Sequence, residues 1–286
     1  MTDARDTDAI MNQPRRVRAM RRAAETVADG IAPLVDLYRP YVEGLANIPR
    51  DGRFLLVGNH TQFGSETLLI PYVVRREIGM RVRPLTDRAF GNLPGPAGDM
   101  LAACGAVVGA PEVAGELMRH NEPILVFPGG GREIPKFRGE QYRLRWAGRT
   151  GFARISIEHD YPIVPVALVG GDDVYLSLTA RDDWWGRLSQ SVAEKLSGRS
   201  DMAMPLMRGI GPTLIPRPQR MYLRFAEPIE TTKPPGRSAQ TWVDSVKQTT
   251  HDSLERALAK LLAVRRDDPY RALNPLAWRS AKQPVS

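Results

Sequence analysis

The fold is decided in one stretch, residues 54–66, which reads FLLVGNHTQFGSE. Its first four residues form a short apolar run that is typical of a buried strand, and Gly58 ends that run. Asn59 and His60 then fall in a turn before a helix that begins near Ser65. A strand, a turn and a helix in this order predict one unit of an α/β fold.

His60 is the best candidate for a general base in this chain. An imidazole in a turn can take a proton if water is excluded and a carboxylate holds the ring. Glu66 is the nearest acidic side chain downstream of it. A single histidine after a strand is more often a hydrogen-bonded structural residue, so the catalytic interpretation needs a second indication elsewhere.

That indication is residues 127–133, which read FPGGGRE and also follow a short apolar run. Consecutive glycines let backbone N–H groups approach a ligand closely, and such groups can hold an oxyanion or a phosphate. Arg132 can bind a phosphate or a carboxylate through two N–H groups. The alternative is a tight turn in which Arg132 pairs with Glu133 or Glu140. The spacing matches neither a Walker loop nor the dinucleotide-binding fingerprint.

Apolar runs and helical patterns alternate through the body of the chain, as they do in α/β proteins. Strands are predicted at 53–58, 81–85, 123–127, 163–168 and 220–226. Helices are predicted at 65–78, 96–104, 111–120, 148–160 and 240–263. The segment 172–218 is rich in proline after residue 204 and is predicted to be a long apolar loop. It either covers the core, lines a ligand channel or touches lipid.

Both ends of the chain lie outside this body. Residues 1–13 are polar and predicted to be disordered. Residues 14–48 are predicted to form amphipathic helices, the second of which carries Leu34, Leu37, Tyr41 and Leu45 on one side. Arginines in the first two turns favour contact with anionic lipid, and packing on the domain is the alternative. Residues 49–264 form the α/β domain, and the tail 265–286 is expected to wrap around it or fray.

The composition and net charge limit the kinds of partner that this protein is expected to bind. The 286 residues carry a net charge of +8, mostly from dispersed arginine, without a nucleic-acid-binding signature. A membrane surface or a nucleotide-bearing substrate is therefore a better partner than nucleic acid. The single cysteine, Cys104, fits a reducing cytoplasm and has apolar neighbours that predict a packed residue. No apolar run is long enough to span a bilayer, and the first residues lack an apolar signal core. The four histidines show no metal-ligand spacing.

Taken together, the two motifs resemble those of the glycerolipid acyltransferase superfamily, which carries Asn-His-x4-Asp followed by Phe-Pro-Glu-Gly-Thr-Arg. The likeness is closer to the branch of diacylglycerol acyltransferase-like and phytyl ester synthase-like proteins. That branch continues with a charged stretch and a Tyr-x-Leu-x-Trp, here RGEQYRLRW at 138–146 followed by Phe152. Residues 163–166 and 224–229 resemble two later blocks, so the likeness covers about residues 50 to 232. It implies an α/β fold with a central mixed β-sheet flanked by helices.

The sequence departs from the family pattern in three places. The acid is Glu66, six residues after His60, and Ser65 stands where the family has aspartate. Gly129 replaces the glutamate of the second motif. The usual arginine block has an apolar counterpart at 105–108, which implies a neutral or bulky lipid alcohol as acceptor rather than a glycerol phosphate.

The resemblance implies direct acyl transfer from acyl-CoA to a lipid alcohol, with no bound cofactor and no metal. His60 is the implied general base, and Glu66 orients it. Apolar residues after position 200 are expected to hold the acyl chain, and the protein is expected at the cytoplasmic face of the membrane. The implied substrate-binding residues are Asn59, Ser65, Phe127, Pro128, Gly129, Gly130, Gly131, Arg132 and Glu133.

Three other functions remain open from the sequence. A hydrolase would use Ser65 as nucleophile and His60 as base, although the stretch lacks the Gly-x-Ser-x-Gly elbow. A thioesterase would use the His60–Glu66 site with water in place of an alcohol. A membrane-binding module would keep the fold after losing catalysis.

Overall fold

The computed structural model describes residues 13–87 and 95–284. The helices are α1 (Arg15–Tyr38), α2 (Glu66–Ile78), α3 (Gly95–Ala103), α4 (Pro111–Arg119), α5 (Gly151–Glu158), α6 (Trp184–Ser197) and α7 (Ala239–Arg266). The strands are β1 (Tyr41–Glu43), β2 (Leu55–Gly58), β3 (Arg83–Thr86), β4 (Val107–Val108), β5 (Ile124–Val126), β6 (Ile163–Val169), β7 (Leu176–Ser177), β8 (Met207–Arg208) and β9 (Tyr222–Phe225).

Seven of these strands form one mixed sheet in the order β1-β9-β6-β2-β5-β3-β4. Strand β2 lies at its centre and pairs in parallel with both β5 and β6, so that Leu55 lies beside Ile124 and Ile163. The antiparallel pairing of β6 with β9 makes the sheet mixed. This architecture confirms the predicted α/β fold. Because β2, β5 and β6 are parallel neighbours, the loops that follow them meet at one edge of the sheet.

The sheet is buried on both faces, which explains why its strands read as continuous apolar runs. Leu55 and Val57 face α4, α5 and α7, whereas Phe54 and Leu56 belong to a second cluster with Ile70 of α2. Strand β2 is therefore held from both sides. The residue after it has little freedom to move, which suits a site that needs a fixed side chain.

The N-terminal region differs from the prediction of two helices. One helix, α1, runs from Arg15 to Tyr38 and packs against α3. Its Asp29 forms an ion pair with Arg75 of α2 at 3.0 Å. The predicted second helix is wrong over its last part: Arg39, in the left-handed conformation, ends α1, and strand β1 follows. The predicted helix includes Tyr41, but this residue belongs to β1 and is buried in the core. Residues 1–12, predicted to be disordered, lie outside the described residues.

The prediction of a loop over 172–218 is also wrong in part. Helix α6 (Trp184–Ser197) forms where proline is absent, with Asp183 as its N-cap, which accepts from Gly186 N at 2.8 Å, and Gly198 as its C-cap. Strand β7 before this helix and strand β8 after it pair antiparallel in a separate two-stranded sheet. The prolines, which all follow residue 204, do exclude a helix from that part of the segment.

The tail after α7 wraps back onto the sheet. Asp268 is buried and pairs with the equally buried Arg220 at 2.6 Å, and it also accepts from Tyr222 of β9. A buried ion pair with further hydrogen bonds fixes the tail, since removing one partner would leave a buried charge. Cys104, predicted to be packed, is exposed.

Candidate active site

Three loops meet at the carboxyl ends of β2, β5 and β6. They are residues 59–65, the glycine loop 127–133, and residues 170–173. Parallel strand ends at the centre of an α/β sheet are where ligand sites form in such folds. The structure thus brings together the two motifs that are about 70 residues apart in the sequence, with His60 N only 2.9 Å from Glu133 Oε2.

The His60 ring is held by Glu66. Its Nδ1 contacts Glu66 Oε1, and the second carboxylate oxygen accepts from the Thr61 hydroxyl. Glu66 is fully buried and stands at the first turn of α2, where the helix dipole favours a negative charge. A carboxylate on Nδ1 fixes the tautomer that leaves Nε2 free to accept a proton. Glu66 therefore reaches the His60 ring, although it lies one residue later in the sequence than the aspartate of the family motif.

A short 3-10 turn explains how the spacing is accommodated. Residues Gln62–Gly64 form this turn between His60 and α2, and Gly64 has a φ of +70°. Left-handed backbone suits glycine because it has no Cβ. Ser65 Oγ lies 3.1 Å from Thr61 Oγ1. Ser65 thus supports the residue that binds Glu66, whereas the hydrogen bond of the His60 ring goes to Glu66.

Phe127 covers one face of the His60 ring. The two rings stack with centroids 4.6 Å apart and planes 22° apart. Phe127 is buried, and it comes this close to β2 because Gly58 has no side chain: a Cβ there would lie 3.0 Å from the Phe127 ring. The stacking keeps water from that face of the base.

The Glu133 carboxylate contacts backbone N–H groups of the protein, whereas the family resemblance implied a contact with substrate. It is fully buried, and its carboxylate accepts from His60 N at 2.9 Å and from Arg145 N at 2.6 Å. A Cβ on Gly129 would lie 2.3 Å from the Glu133 carboxyl carbon. The Glu133 carboxylate therefore lies where a side chain at position 129 would begin. Glu133 therefore places a carboxylate next to position 129, where the motif of the resembled family has a glutamate and this chain has Gly129.

Asn59 is likewise a structural residue. Its amide donates to Leu168 O at 3.0 Å and accepts from Leu168 N at 2.9 Å, which ties the His60 loop to β6. Both polar groups of a buried side chain are satisfied by the backbone. The predicted role in substrate binding is replaced by one in positioning His60.

The glycine loop is fixed from outside by Arg149, whose Nη1 donates to the carbonyls of Pro128 and Gly129 at 2.9 and 3.0 Å. Gly130, with a φ of +54°, donates its N–H to Phe127 O and so uses that group within the turn. The N–H groups of Gly129 and Gly131 stay candidates for an oxyanion. The loop conformation itself is settled by Arg149.

Arg132 lies at the outer side of the loop. Its Nε donates to Asp201 Oδ2 at 2.6 Å, and Arg199 binds the same carboxylate. The side chains of Arg199 and Arg132 hold the pKa of Asp201 below its usual value. The partner of Arg132 is therefore neither Glu133 nor Glu140, the two that its sequence neighbourhood suggested. Its guanidinium is partly exposed and reachable by a ligand.

The third loop supports the first. Asp172 accepts from Gln62 N at 2.9 Å and from Tyr142 N at 2.8 Å, and Lys136 Nζ lies 4.0 Å away. Burial raises the pKa of Asp172 to about 6, against the opposing effect of Lys136. Gly171 has no room for a side chain, since a Cβ would lie 2.7 Å from the Thr61 hydroxyl oxygen.

Two cavities flank the glycine loop. The first, of about 410 Å³, is mainly apolar and is lined by Phe127, Pro128, Leu85, Met118, Phe152 and Ile155. The second, of about 640 Å³, is lined by Arg132, Arg145 and Arg199 together with the acids Glu194 and Asp201, and we call it the basic cavity because arginine predominates. The apolar residues after position 200 do not line the first cavity, and Leu206, Ile210, Leu214 and Ile215 are exposed.

Sequence reasoning missed four residues of the site: Thr61, Arg149, Asp172 and Asp201. Thr61 directly follows the predicted turn and Asp172 lies four residues after a predicted strand, and that placement was a usable signal. Arg149 and Asp201 offered none, because the contacts that bring them to the glycine loop join residues 20 and 69 positions apart.

Residues 13–87 and 95–284 contain one surface group of side chains with the spacing of metal ligands. His251, Asp252 and Glu255 come within ligating distance of one another on the surface of α7, an arrangement that is common for exposed acidic groups without an ion. In the same residues, no helix combines the length and the apolar character needed to cross a bilayer.

Comparison with known proteins gives a consistent result. Residues 39–169 match the family model described as Acyltransferase. The chain is 29% identical over 249 residues to phytyl ester synthase 1, chloroplastic, of Arabidopsis thaliana, covering 81% of this chain and 35% of that protein. It is 28% identical over 146 residues to the DGAT1/2-independent enzyme synthesizing storage lipids of Homo sapiens, covering 51% and 44%. The chain spans less than half the length of either relative.

The solved structures that are similar include an acyltransferase. It is the 1-acyl-sn-glycerophosphate acyltransferase PlsC of Thermotoga maritima, with a TM-score of 0.42 and 17% identity over 76% of this chain and 71% of that one.

Proposed function

We propose that the chain is a member of the glycerolipid acyltransferase superfamily, in the branch of the phytyl ester synthases and diacylglycerol acyltransferase-like proteins, and that it transfers a fatty acyl group from acyl-CoA to the hydroxyl of a lipid alcohol. The match of residues 39–169 to the Acyltransferase family model and the similarity to the phytyl ester synthases support this proposal. The observation that carries the proposal is the His60–Glu66 pair under Phe127, at the edge where the two motifs meet. This geometry suits a general base that acts on a hydroxyl.

The reaction needs no acyl-enzyme. His60 Nε2 takes the proton of the acceptor hydroxyl while that oxygen attacks the thioester carbonyl, and the C–S bond then breaks to release coenzyme A as thiol. Glu66 stabilises the protonated ring through Nδ1. The N–H groups of Gly129 and Gly131 are suited to the negative charge that develops on the carbonyl oxygen.

The two cavities suit the two ends of acyl-CoA. The apolar cavity shares Phe127 with the His60 stack, so a fatty chain in it has its carbonyl end near the base. The basic cavity offers Arg132, Arg145 and Arg199 to the phosphates of coenzyme A. The acyl chain therefore lies in a cavity under α4 and α5, rather than against the residues after position 200.

The acceptor is a neutral or bulky lipid alcohol. In the region of the family's arginine block, Val107 is buried in β4 and Arg81 donates to the carbonyls of Ala102 and Ala103. Arg81 thus has structural partners and does not present a ready site for a glycerol phosphate. Such acceptors reside in membranes, so the protein acts at the surface of the cytoplasmic membrane, without nucleic acid and without a resident cofactor.

The proposal is tested by coenzyme A release from palmitoyl-CoA, with and without diacylglycerol in liposomes. Wild type and His60→Ala are compared, with His120→Ala as the matched control because His120 is exposed on the surface. We expect release that requires both the alcohol and His60, with a loss of about 10²–10⁴-fold in His60→Ala. Equal turnover in the two proteins would overturn the mechanism.

Arg132→Ala tests the basic cavity. We expect the KM for palmitoyl-CoA to rise about tenfold with kcat nearly unchanged, since the guanidinium would bind phosphate in the ground state and the transition state alike. Asp201→Asn is the control, because it keeps the guanidinium and removes its present partner. A fall in kcat without a change in KM would contradict the assignment.

A thioesterase is the second candidate, because water can take the place of the alcohol above the same His60–Glu66 pair. Product analysis separates the two functions. An ester that appears with coenzyme A supports transfer, and free fatty acid formed at the same rate without alcohol supports hydrolysis.

A further inference from the structure

Helix α6 exposes a stripe of large apolar side chains. Trp184, Leu188, Val192 and Leu196 recur at every fourth residue and are 66%, 50%, 45% and 83% exposed. On an α-helix this spacing covers an arc of about 120°. An apolar helix face that is left this exposed is a typical sign of an interaction surface.

Further exposed apolar side chains lie next to the paired strands β7 and β8. Trp184 packs edge-on against Trp185, whose Nε1 donates to Met204 O at 3.2 Å. Leu178 N donates to Leu206 O at 2.8 Å, and the side chains of Leu178, Leu206 and Met204 are exposed. We call the stripe on α6, together with Leu178, Met204 and Leu206, the α6 surface. The hydrogen bond from Trp185 to Met204 connects the helix to the second group of side chains.

Charges around the α6 surface favour an anionic partner. Arg187 and Lys195 lie beside the stripe on α6, and Arg208 extends from the exposed side of β8, against the single acid Glu194 on the helix. A tryptophan, an aliphatic stripe and flanking basic residues are the composition of helices that lie in a membrane interface. The net charge of +8 acts in the same direction.

The α6 surface adjoins the candidate active site. The 3-10 turn Ser200–Met202 packs against α6 and reaches the glycine loop, where Asp201 binds Arg132 at 2.6 Å. The sulfur of Met202 lies 3.2 Å from the position of a Cβ on Gly131. A bilayer on the α6 surface would therefore lie next to the opening of the basic cavity.

Helix α1, the other amphipathic element, is engaged differently. Its Arg16 pairs with Asp99 of α3 at 3.0 Å, and its Asp29 and Asp36 pair with arginines of α2. Some of its apolar side chains are exposed, among them Val27 and Leu37. Several of its charges thus serve packing onto the domain, which makes α1 a useful internal control.

We propose that the α6 surface docks the protein on an anionic lipid bilayer, with α6 lying in the plane of the interface. The choice of a bilayer over another partner rests on the proposed function, which requires a lipid acceptor. Leu188 and Leu196 enter the acyl boundary, and Arg187 and Lys195 contact lipid phosphates. The acceptor then reaches His60 from the membrane side.

The test is sedimentation with vesicles of phosphatidylcholine and phosphatidylglycerol. The proteins are wild type, Leu188→Ser/Leu196→Ser, and the matched control Val27→Ser/Leu37→Ser on α1. All four positions are at least half exposed, so each variant is expected to fold, which circular dichroism checks. We expect the α6 variant to lose about tenfold or more in partitioning and the α1 variant to resemble wild type.

Three results would overturn the proposal: no vesicle binding by wild type, unchanged binding by the α6 variant, or an equal loss in both variants. Sedimentation equilibrium without lipid examines the other occupant, a second copy of the chain. A wild-type dimer that the α6 variant converts to monomer would assign the α6 surface to self-association instead.

Turnover separates this proposal from the proposed function. With a water-soluble short-chain acyl thioester and a soluble alcohol, we expect the α6 variant to match wild type, and with a vesicle-borne alcohol to fall about tenfold. Absence of transfer in every protein would refute the enzymatic function, while the vesicle binding would still decide the docking proposal.

Discussion

Two fully buried glutamates hold the same histidine at opposite ends. Glu66 binds the His60 ring at Nδ1, and Glu133 binds the backbone N–H of the same residue. Glu66 contacts the imidazole ring, which exchanges a proton, whereas Glu133 contacts only the backbone of the same residue. The comparison teaches that a buried carboxylate beside a candidate base is not by itself catalytic, because the atom it contacts decides its effect.

The largest effect that separates the two glutamates is expected from Glu66→Gln. The amide keeps the shape but cannot stabilise a protonated ring, so kcat should fall by about 10²–10³-fold with little change in KM. Steady-state kinetics with acyl-CoA measure this, and thermal melting checks that the fold persists. If kcat were to remain within a factor of two, Glu66 would be no more catalytic than Glu133.

A smaller effect, mainly on stability, is expected from Glu133→Ala and Gly129→Ala. The first leaves the N–H groups of His60 and Arg145 without their acceptor, and the second forces the carboxylate away. Each should reduce the free energy of unfolding by about 1–3 kcal/mol, measured by urea titration.

The double variant sharpens this prediction. In the Glu133→Ala background, Gly129→Ala should cost much less, because the atoms with which its Cβ collides are gone. Strictly additive costs would show that Glu133 and Gly129 do not share one space. The control is Gly151→Ala, since a Cβ at Gly151 meets no atom within 4 Å.

A third buried carboxylate, Asp172, holds the loop beside His60. Its pKa is raised from 3.8 to about 6 by burial, so between about pH 4 and 6 the folded state binds more protons than the unfolded state. The free energy of unfolding should therefore fall as pH rises through this window, by an amount on the order of 2–3 kcal/mol for this group.

Asp172→Asn removes that titration. The variant should be less stable overall, because Lys136 loses its nearby carboxylate, but the part of the pH slope due to Asp172 should vanish. Urea titrations of both proteins at about pH 4, 5 and 6 measure how the free energy of unfolding depends on pH. The same slope in the variant as in wild type would show that other groups cause it.

Elements with a strong local signal were predicted well. The strands β2, β5 and β6 are buried on both faces, so their apolar runs identify them without knowledge of their partners. The errors fell at Tyr41–Glu43 and at α6. The three-residue strand β1 forms by pairing with β9, and the local sequence does not indicate this partner. Helix α6 ends before the first proline of the segment 172–218, but the prolines led to the prediction of a loop over the whole segment.

The sequence by itself determined the α/β class, the motifs around His60 and Arg132, and the resemblance to the acyltransferases, since these depend on residue types and spacing along one strand and its following turn. Only the tertiary structure decided which partner each polar group takes. Glu133 contacts the His60 backbone, Arg132 pairs with Asp201, and the apolar stripe of α6 is left 45–83% exposed. The physical reason is that hydrogen bonds and ion pairs act over a few ångströms, so distant residues become partners only after packing has brought three strand ends to one edge of the sheet.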